Sequence, residues 1–149
     1  WHAGSERANR ASVGVEISNA YYPKHQEWYV RNGYGERPII ESTRCQGEEL
    51  DPFLGFYPVQ IKALKQLRKA IHQGLDIPYN APLNQFDNTA SKYVQSVKYG
   101  DFRGFASHYH VSKNKIDCAG LDIKTLLDEV EKEEESGYSS ASAVCEDDS

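Results

Sequence analysis

Only a few segments of the chain carry a clear hydrophobic period, and they are separated by long stretches that carry none. Residues 11–19, Ala-Ser-Val-Gly-Val-Glu-Ile-Ser-Asn, alternate with a period of two. Val13, Val15 and Ile17 fall on one face and Gly14, Glu16 and Ser18 on the other, which predicts a strand. A carboxylate inside a β-branched run is unusual, so Glu16 is expected to face either solvent or a site. Residues 20–56 are rich in Tyr, Pro, Gly and charge without a sustained period. They predict a long loop or insertion with a short strand at Pro38–Glu41, and loops of this length are often functional.

Residues 58–73 give the clearest helix. Ile61, Leu64, Leu67, Ala70 and Ile71 recur at three- and four-residue steps, with Lys62, Lys65, Arg68 and Lys69 between them. Pro58 suits the first turn and Gly74 offers the stop. Such a helix is expected to cover a sheet with its apolar stripe and to keep its basic face in water. Residues 105–111, Phe-Ala-Ser-His-Tyr-His-Val, predict a strand or strand end. Leu121–Val130 predicts a final helix, with Asp122 as its cap and Leu126, Leu127 and Val130 as its stripe. From Glu131 onward the chain is acidic and then rich in Ser and Gly. That segment buries too little apolar surface to offset its ordering entropy, so residues 131–149 are predicted to be a disordered tail. No internal repeat is apparent.

Composition narrows the picture. The chain has 149 residues, 39% of them hydrophobic, with ten tyrosines, which suits one globular domain with a polar groove. The net charge of −5 is concentrated after Asp128, and the body before it is slightly basic. Charge therefore gives no reason to expect a nucleic-acid partner. No apolar run approaches the ~20 residues of a membrane span. Cys45, Cys118 and Cys145 are odd in number and fit neither a disulfide framework nor a Cys-x-x-Cys knuckle. The first residue is Trp1, so the chain is expected to be a piece whose natural start, with any export signal, lies upstream.

Three segments could carry chemistry: Trp1-His2-Ala3-Gly4, the stretch around Glu16, and His108 to Gly120. The last is densest, with His108, His110, Lys115, Asp117 and Cys118 within eleven residues. Imidazole, carboxylate and thiolate are all zinc ligands. On an extended backbone His108 and His110 would share a face, as would Lys115 and Asp117. A lysine beside a ligating carboxylate could orient it or neutralise an oxyanion near the metal.

The segment His108-Tyr109-His110-Val111-Ser112, followed by Lys115-Ile116-Asp117-Cys118-Ala119-Gly120, resembles the C-terminal motif of the type 2 N-acetylmuramoyl-L-alanine amidases. This zinc family includes phage endolysins, muropeptide-recycling amidases and the related peptidoglycan recognition proteins. Trp1-His2-Ala3-Gly4-Ser5 and Ser12-Val13-Gly14-Val15-Glu16 resemble its Trp-His-Ala-Gly segment and the strand that follows. The helix at 58–73 resembles the one after that strand. The likeness spans residues 1–19, 57–77 and 108–130 and leaves 20–56 unexplained.

The resemblance implies a peptidoglycan hydrolase that cleaves the amide between N-acetylmuramic acid and L-alanine with a zinc-activated water. It implies His108 and Asp117 as Zn²⁺ ligands, with Cys118, which stands at the family's usual proline, as the alternative to Asp117. It implies Lys115 and Glu16 as catalytic groups and Trp1, His2, Arg7 and Asn9 as substrate-binding residues. Arg7 would take a stem-peptide carboxylate, a task that suits a planar guanidinium. The implied fold is α/β, a mixed central β-sheet flanked by helices, lacking here its first strands. The family's first zinc histidine lies on one of those strands, so a third ligand is expected upstream of residue 1. The domain is expected to occupy residues 1–130. A monomer acting on peptidoglycan or muropeptides is expected, in a bacterial cytoplasm or as a phage lysin. The alternative implied by the same family is a non-catalytic peptidoglycan-binding module.

Overall fold

A computed structural model describes residues 3–142, with side chains described through residue 137. Trp1 and His2 lie outside the described residues, as does Cys145. The chain folds as helices with two small antiparallel sheets. Helix α1 (Glu6–Arg10) is capped by Ser5, whose side chain accepts the Ala8 N–H. The expected strand at 11–19 forms no ladder. It has no regular secondary structure, with Val13 61% and Val15 49% exposed, and of its three apolar strand positions only Ile17 is half-buried. Its alternation is real, but no neighbouring strand lies beside it among the described residues, so the valines have nothing to pack against.

Residues 20–56 carry more structure than their composition suggests. A single 3₁₀ turn (Pro23–His25) leads into α2 (Gln26–Arg31). Strand β1 (Ile39–Ile40) pairs antiparallel with β4 (Phe53–Leu54), and β2 (Thr43–Cys45) with β3 (Glu48–Leu50). Arg37 ties this region together. Its guanidinium is buried and donates to the carbonyls of Gly55 (2.8 Å), Ala20 (2.8 Å) and Leu54 (3.2 Å), lying over the Tyr29 ring. A buried cation is tolerated there because carbonyl dipoles satisfy its donors.

Helix α3 (Pro58–Leu75) begins where predicted, with Pro58 in the first turn. It runs past Gly74 and stops at Asp76, which is left-handed (φ 53°). After α4 (Gln95–Lys98) and α5 (His108–Val111) comes α6 (Ile123–Ser142). Asp122 caps α6 by accepting the Thr125 N–H and the hydroxyls of Thr125 and Thr89. Burial pulls its pKa up, yet those bonds and Lys124 hold the carboxyl below the usual carboxylate range.

Helix α6 does not stop near Val130, so the expected tail is helical through Ser142. The reason lies opposite. Lys65 of α3 pairs with Glu129 (2.7 Å) and Glu133 (3.3 Å), Lys69 with Glu134 (3.9 Å), and Gln73 donates to Glu134 (2.9 Å). The basic face expected to be solvated is laid against the acidic run. Below these pairs, Leu64, Leu126 and Val130 form one core, joined by Ile17, Ile61, Tyr79 and Leu121. Cys45, Phe53, Tyr109 and Ala119 form a second, joined by Tyr21, Ile40 and Leu50. No helix of the described residues is long and apolar enough to cross a membrane.

Candidate functional site

The segment expected to be a strand at 105–111 is a helical turn, because Ser107 and His110 make a reciprocal cap. The Ser107 side chain accepts the His110 N–H, and His110 Nδ1 accepts the Ser107 N–H at 3.0 Å. In a helix, residues two apart point to opposite sides, so His108 and His110 separate. His110 is fully buried and its Nε2–H donates to the Ala90 carbonyl at 2.6 Å. Both ring nitrogens are thereby committed to a neutral imidazole, and burial pushes its pKa down to about 4. His110 fastens the turn to the segment from Ala90 to Val94, whose Val94 N–H donates to its carbonyl.

His108 points the other way, half-buried, and meets Asp117. Its Nδ1 lies 2.9 Å from Asp117 Oδ2, and the Tyr109 N–H donates to the Asp117 carbonyl at 3.1 Å. Side chain and backbone thus both bring residues nine apart together. Two donors bound to one tetrahedral zinc at ~2.0–2.1 Å would lie about 3.3 Å apart. The pair needs to open by only a few tenths of an ångström to fit two vertices of such a site.

Cys118 is half-buried. Burial, and next the Asp117 carboxylate, push its thiol up to about 11, even with the Arg68 guanidinium nearby. The Asp117 carboxylate is open to solvent beside the imidazole. Between the two residues left open by the sequence, the geometry favours Asp117. Lys115 is exposed on the same loop, two residues before Asp117.

The remaining expected residues are not gathered here. Glu16 is exposed and makes no hydrogen bond or ion pair with a described residue. Its neighbour Ile17 packs on the α3–α6 core, which Leu121 also joins, four residues beyond Asp117. Arg7 pairs with Asp101 at 2.9 Å on an open surface. Asn9 holds its own turn together, accepting the Ala3 N–H and donating to the Ser5 carbonyl. A cleft of about 470 Å³ opens beside α6, lined by Tyr79, Phe102, Lys124 and Asp128 among others, away from the His108–Asp117 pair.

One residue of the site escaped the sequence reading. Gln46, in the β2–β3 turn, donates through Nε2 to the carbonyls of Tyr109 (2.8 Å), Ser112 (3.0 Å) and Lys115 (3.3 Å). Its Oε1 accepts the Tyr93 N–H at 3.0 Å. A glutamine inside an unpatterned stretch gives no sequence signal for this role. Comparison of the chain with family models, curated proteins and solved structures finds no match.

Proposed function

We propose that this chain carries most of a type 2 N-acetylmuramoyl-L-alanine amidase domain, with the α/β fold of that family, acting on peptidoglycan. The observation that carries the reading is the His108–Asp117 pair. Two residues assigned as zinc ligands from a sequence motif lie 2.9 Å apart, on a turn whose backbone bonds enforce their approach.

His108 Nδ1 and Asp117 Oδ2 would hold the metal. When bound, zinc lowers the pKa of a coordinated water toward ~7 and so supplies hydroxide at neutral pH. The water oxygen bonds to the lactyl carbonyl carbon, and the bond from that carbon to the L-alanine nitrogen breaks. Glu16, assigned by the resemblance and not gathered at the pair in this structure, would have to reach the metal-bound water to take its proton and return one to the departing amine. The Lys115 ammonium offsets the charge that develops on the carbonyl oxygen. Arg7 would exchange its exposed partner Asp101 for a carboxylate of the stem peptide, a like-for-like swap of charge-assisted bonds.

The test uses the purified chain, zinc analysis and chromatography of peptides released from purified peptidoglycan. His108→Ala and Asp117→Ala should lose bound zinc and release no stem peptide. Glu16→Ala should keep its zinc and lose a factor of ~10²–10⁴ in turnover. Zinc uptake left unchanged in both His108→Ala and Asp117→Ala would sink the amidase reading. Binding to peptidoglycan without cleavage would replace it with the non-catalytic module.

A further inference from the structure

The turn between β2 and β3 contains two consecutive residues with positive φ, Gln46 at 56° and Gly47 at 92°. Two-residue hairpin turns of this kind favour Asn, Asp or Gly first, because a longer side chain gains nothing from the left-handed conformation. Gln46 occupies the position nonetheless, and its amide is fully used. The nitrogen reaches three carbonyls of the 109–115 segment, and the oxygen takes the Tyr93 N–H. The Gln46 backbone N–H also donates to the Ser91 carbonyl at 2.8 Å. An unfavourable backbone conformation whose side chain spans another segment points to a role for that reach.

The three carbonyls belong to the end of α5 and the loop after it. Tyr109 lies within α5, whose last carbonyls have no partner inside the helix, Ser112 is its C-cap residue and Lys115 lies in the loop beyond. Within the loop, the Tyr109 N–H to Asp117 carbonyl bond (3.1 Å) and the Lys115 N–H to Ser112 carbonyl bond (3.3 Å) fold the turn, and Gln46 is the side chain from outside that joins both its ends. The hairpin supplying the donor is anchored independently, by its ladder to β3 and by Cys45 in the core under Tyr109. The side-chain amide therefore ties the hairpin to the loop that carries Lys115 and Asp117.

We propose that Gln46 is a positioning residue for the candidate metal site: its amide holds the 109–117 segment so that the Asp117 carboxylate meets the His108 imidazole. The insertion at 20–56, which the amidase motifs leave unexplained, thereby acquires a task. This rests on reading His108 and Asp117 as ligands, but the ordering of the loop is measurable without metal.

Gln46→Gly relaxes the turn and removes the amide, so it separates folding from clamping. Gln46→Glu keeps the length and the acceptor for Tyr93 but sets a carboxylate against three carbonyls. In hydrogen-exchange mass spectrometry of the full chain without zinc, both variants should exchange amides of residues 109–119 at least tenfold faster. The α3 and α6 amides should be unchanged. Zinc affinity, read by competition with a chromogenic chelator, should fall by about ten- to a hundredfold, the usual effect of losing an outer support of a ligand. Unchanged exchange at 109–119 in both variants overturns the clamp. A loosened loop with unchanged zinc affinity overturns the positioning role. If the wild type takes up no zinc while Gln46→Gly still loosens the loop, the ordering role stands and the metal reading fails.

Discussion

Two buried arginines show how differently one residue type can be accommodated. Arg37 has carbonyl oxygens around its fork, while Arg68 is buried on α3 over the Phe105 ring with its Nη1 unbonded. Burial pushes the Arg68 pKa down to about 10, which marks the charged form as destabilised by folding. Replacing an uncompensated buried charge by an apolar side chain of similar length should help the fold. Arg68→Met is expected to raise stability by about 1–3 kcal/mol in denaturant melts. Arg37→Met should instead lower it by a comparable amount, since it strands three carbonyls. Loss of stability in Arg68→Met would show that its guanidinium has a partner the fold depends on. His110 makes a second prediction at this scale. Its folded pKa, about 4, lies below the ordinary 6.5, so the unfolded chain binds the proton more readily. The stabilisation is complete above pH 6.5 and is lost as pH falls toward 4, amounting to up to about 3 kcal/mol. His110→Asn should flatten that stretch of the stability–pH profile while lowering its plateau. A wild-type profile that is flat between pH 6.5 and 4 would contradict the buried neutral imidazole.

At the scale of elements, legibility followed the range of the interaction that decides each one. Helix α3 was readable because its stripe and its first-turn proline are local. The 105–111 segment was misjudged because its helical turn rests on a reciprocal Ser107–His110 cap, which outweighs the strand-like composition of Phe-Ala-Ser-His-Tyr-His-Val. The acidic run was judged disordered, and the basic face solvated, because each was weighed alone. Glu129, Glu133 and Glu134 meet Lys65 and Lys69 across 64 to 68 positions of sequence, and no local window contains both. Exposed pairs contribute little singly, but Lys65 is largely covered and shared between two glutamates. Lys65→Glu should lower the melting temperature by ~2–4 °C and speed amide exchange in α6 beyond Val130. Addition of 1 M salt should reduce the wild-type advantage, because screening at that ionic strength acts within ~3 Å. Equal exchange in α6 for both proteins would mean that the helix past Val130 is held by something other than these charges.

Across the whole molecule, the two cores divide the labour. The α3–α6 core carries Ile17 and hence the Glu16 segment, while the core under Tyr109 and Ala119 carries the His108–Asp117 turn. The turn sits tightly on its core: a Cβ at Gly120, where φ is 81°, would stand 3.0 Å from the Phe53 ring. The pairing of His108 with Asp117 was expected only through the family resemblance, since the residues alone suggested His108 beside His110; the hairpin that braces it had no signal, because hydrogen bonds from a glutamine to backbone carbonyls leave no sequence pattern. Any ligand that binds only the folded chain stabilises the whole of it, by about 2.7 kcal/mol at a hundredfold excess over Kd. Zinc should therefore raise the melting temperature by roughly 5–10 °C, and a chelator should reverse the shift. Asp117→Ala should abolish that shift. Cys118→Ala should retain it, since the carboxylate beside the His108 imidazole is that of Asp117. The opposite result, a shift lost with Cys118 and kept without Asp117, would require the loop to turn its thiol outward on metal binding. The 2.9 Å contact between His108 and Asp117 would then be an ordinary surface hydrogen bond.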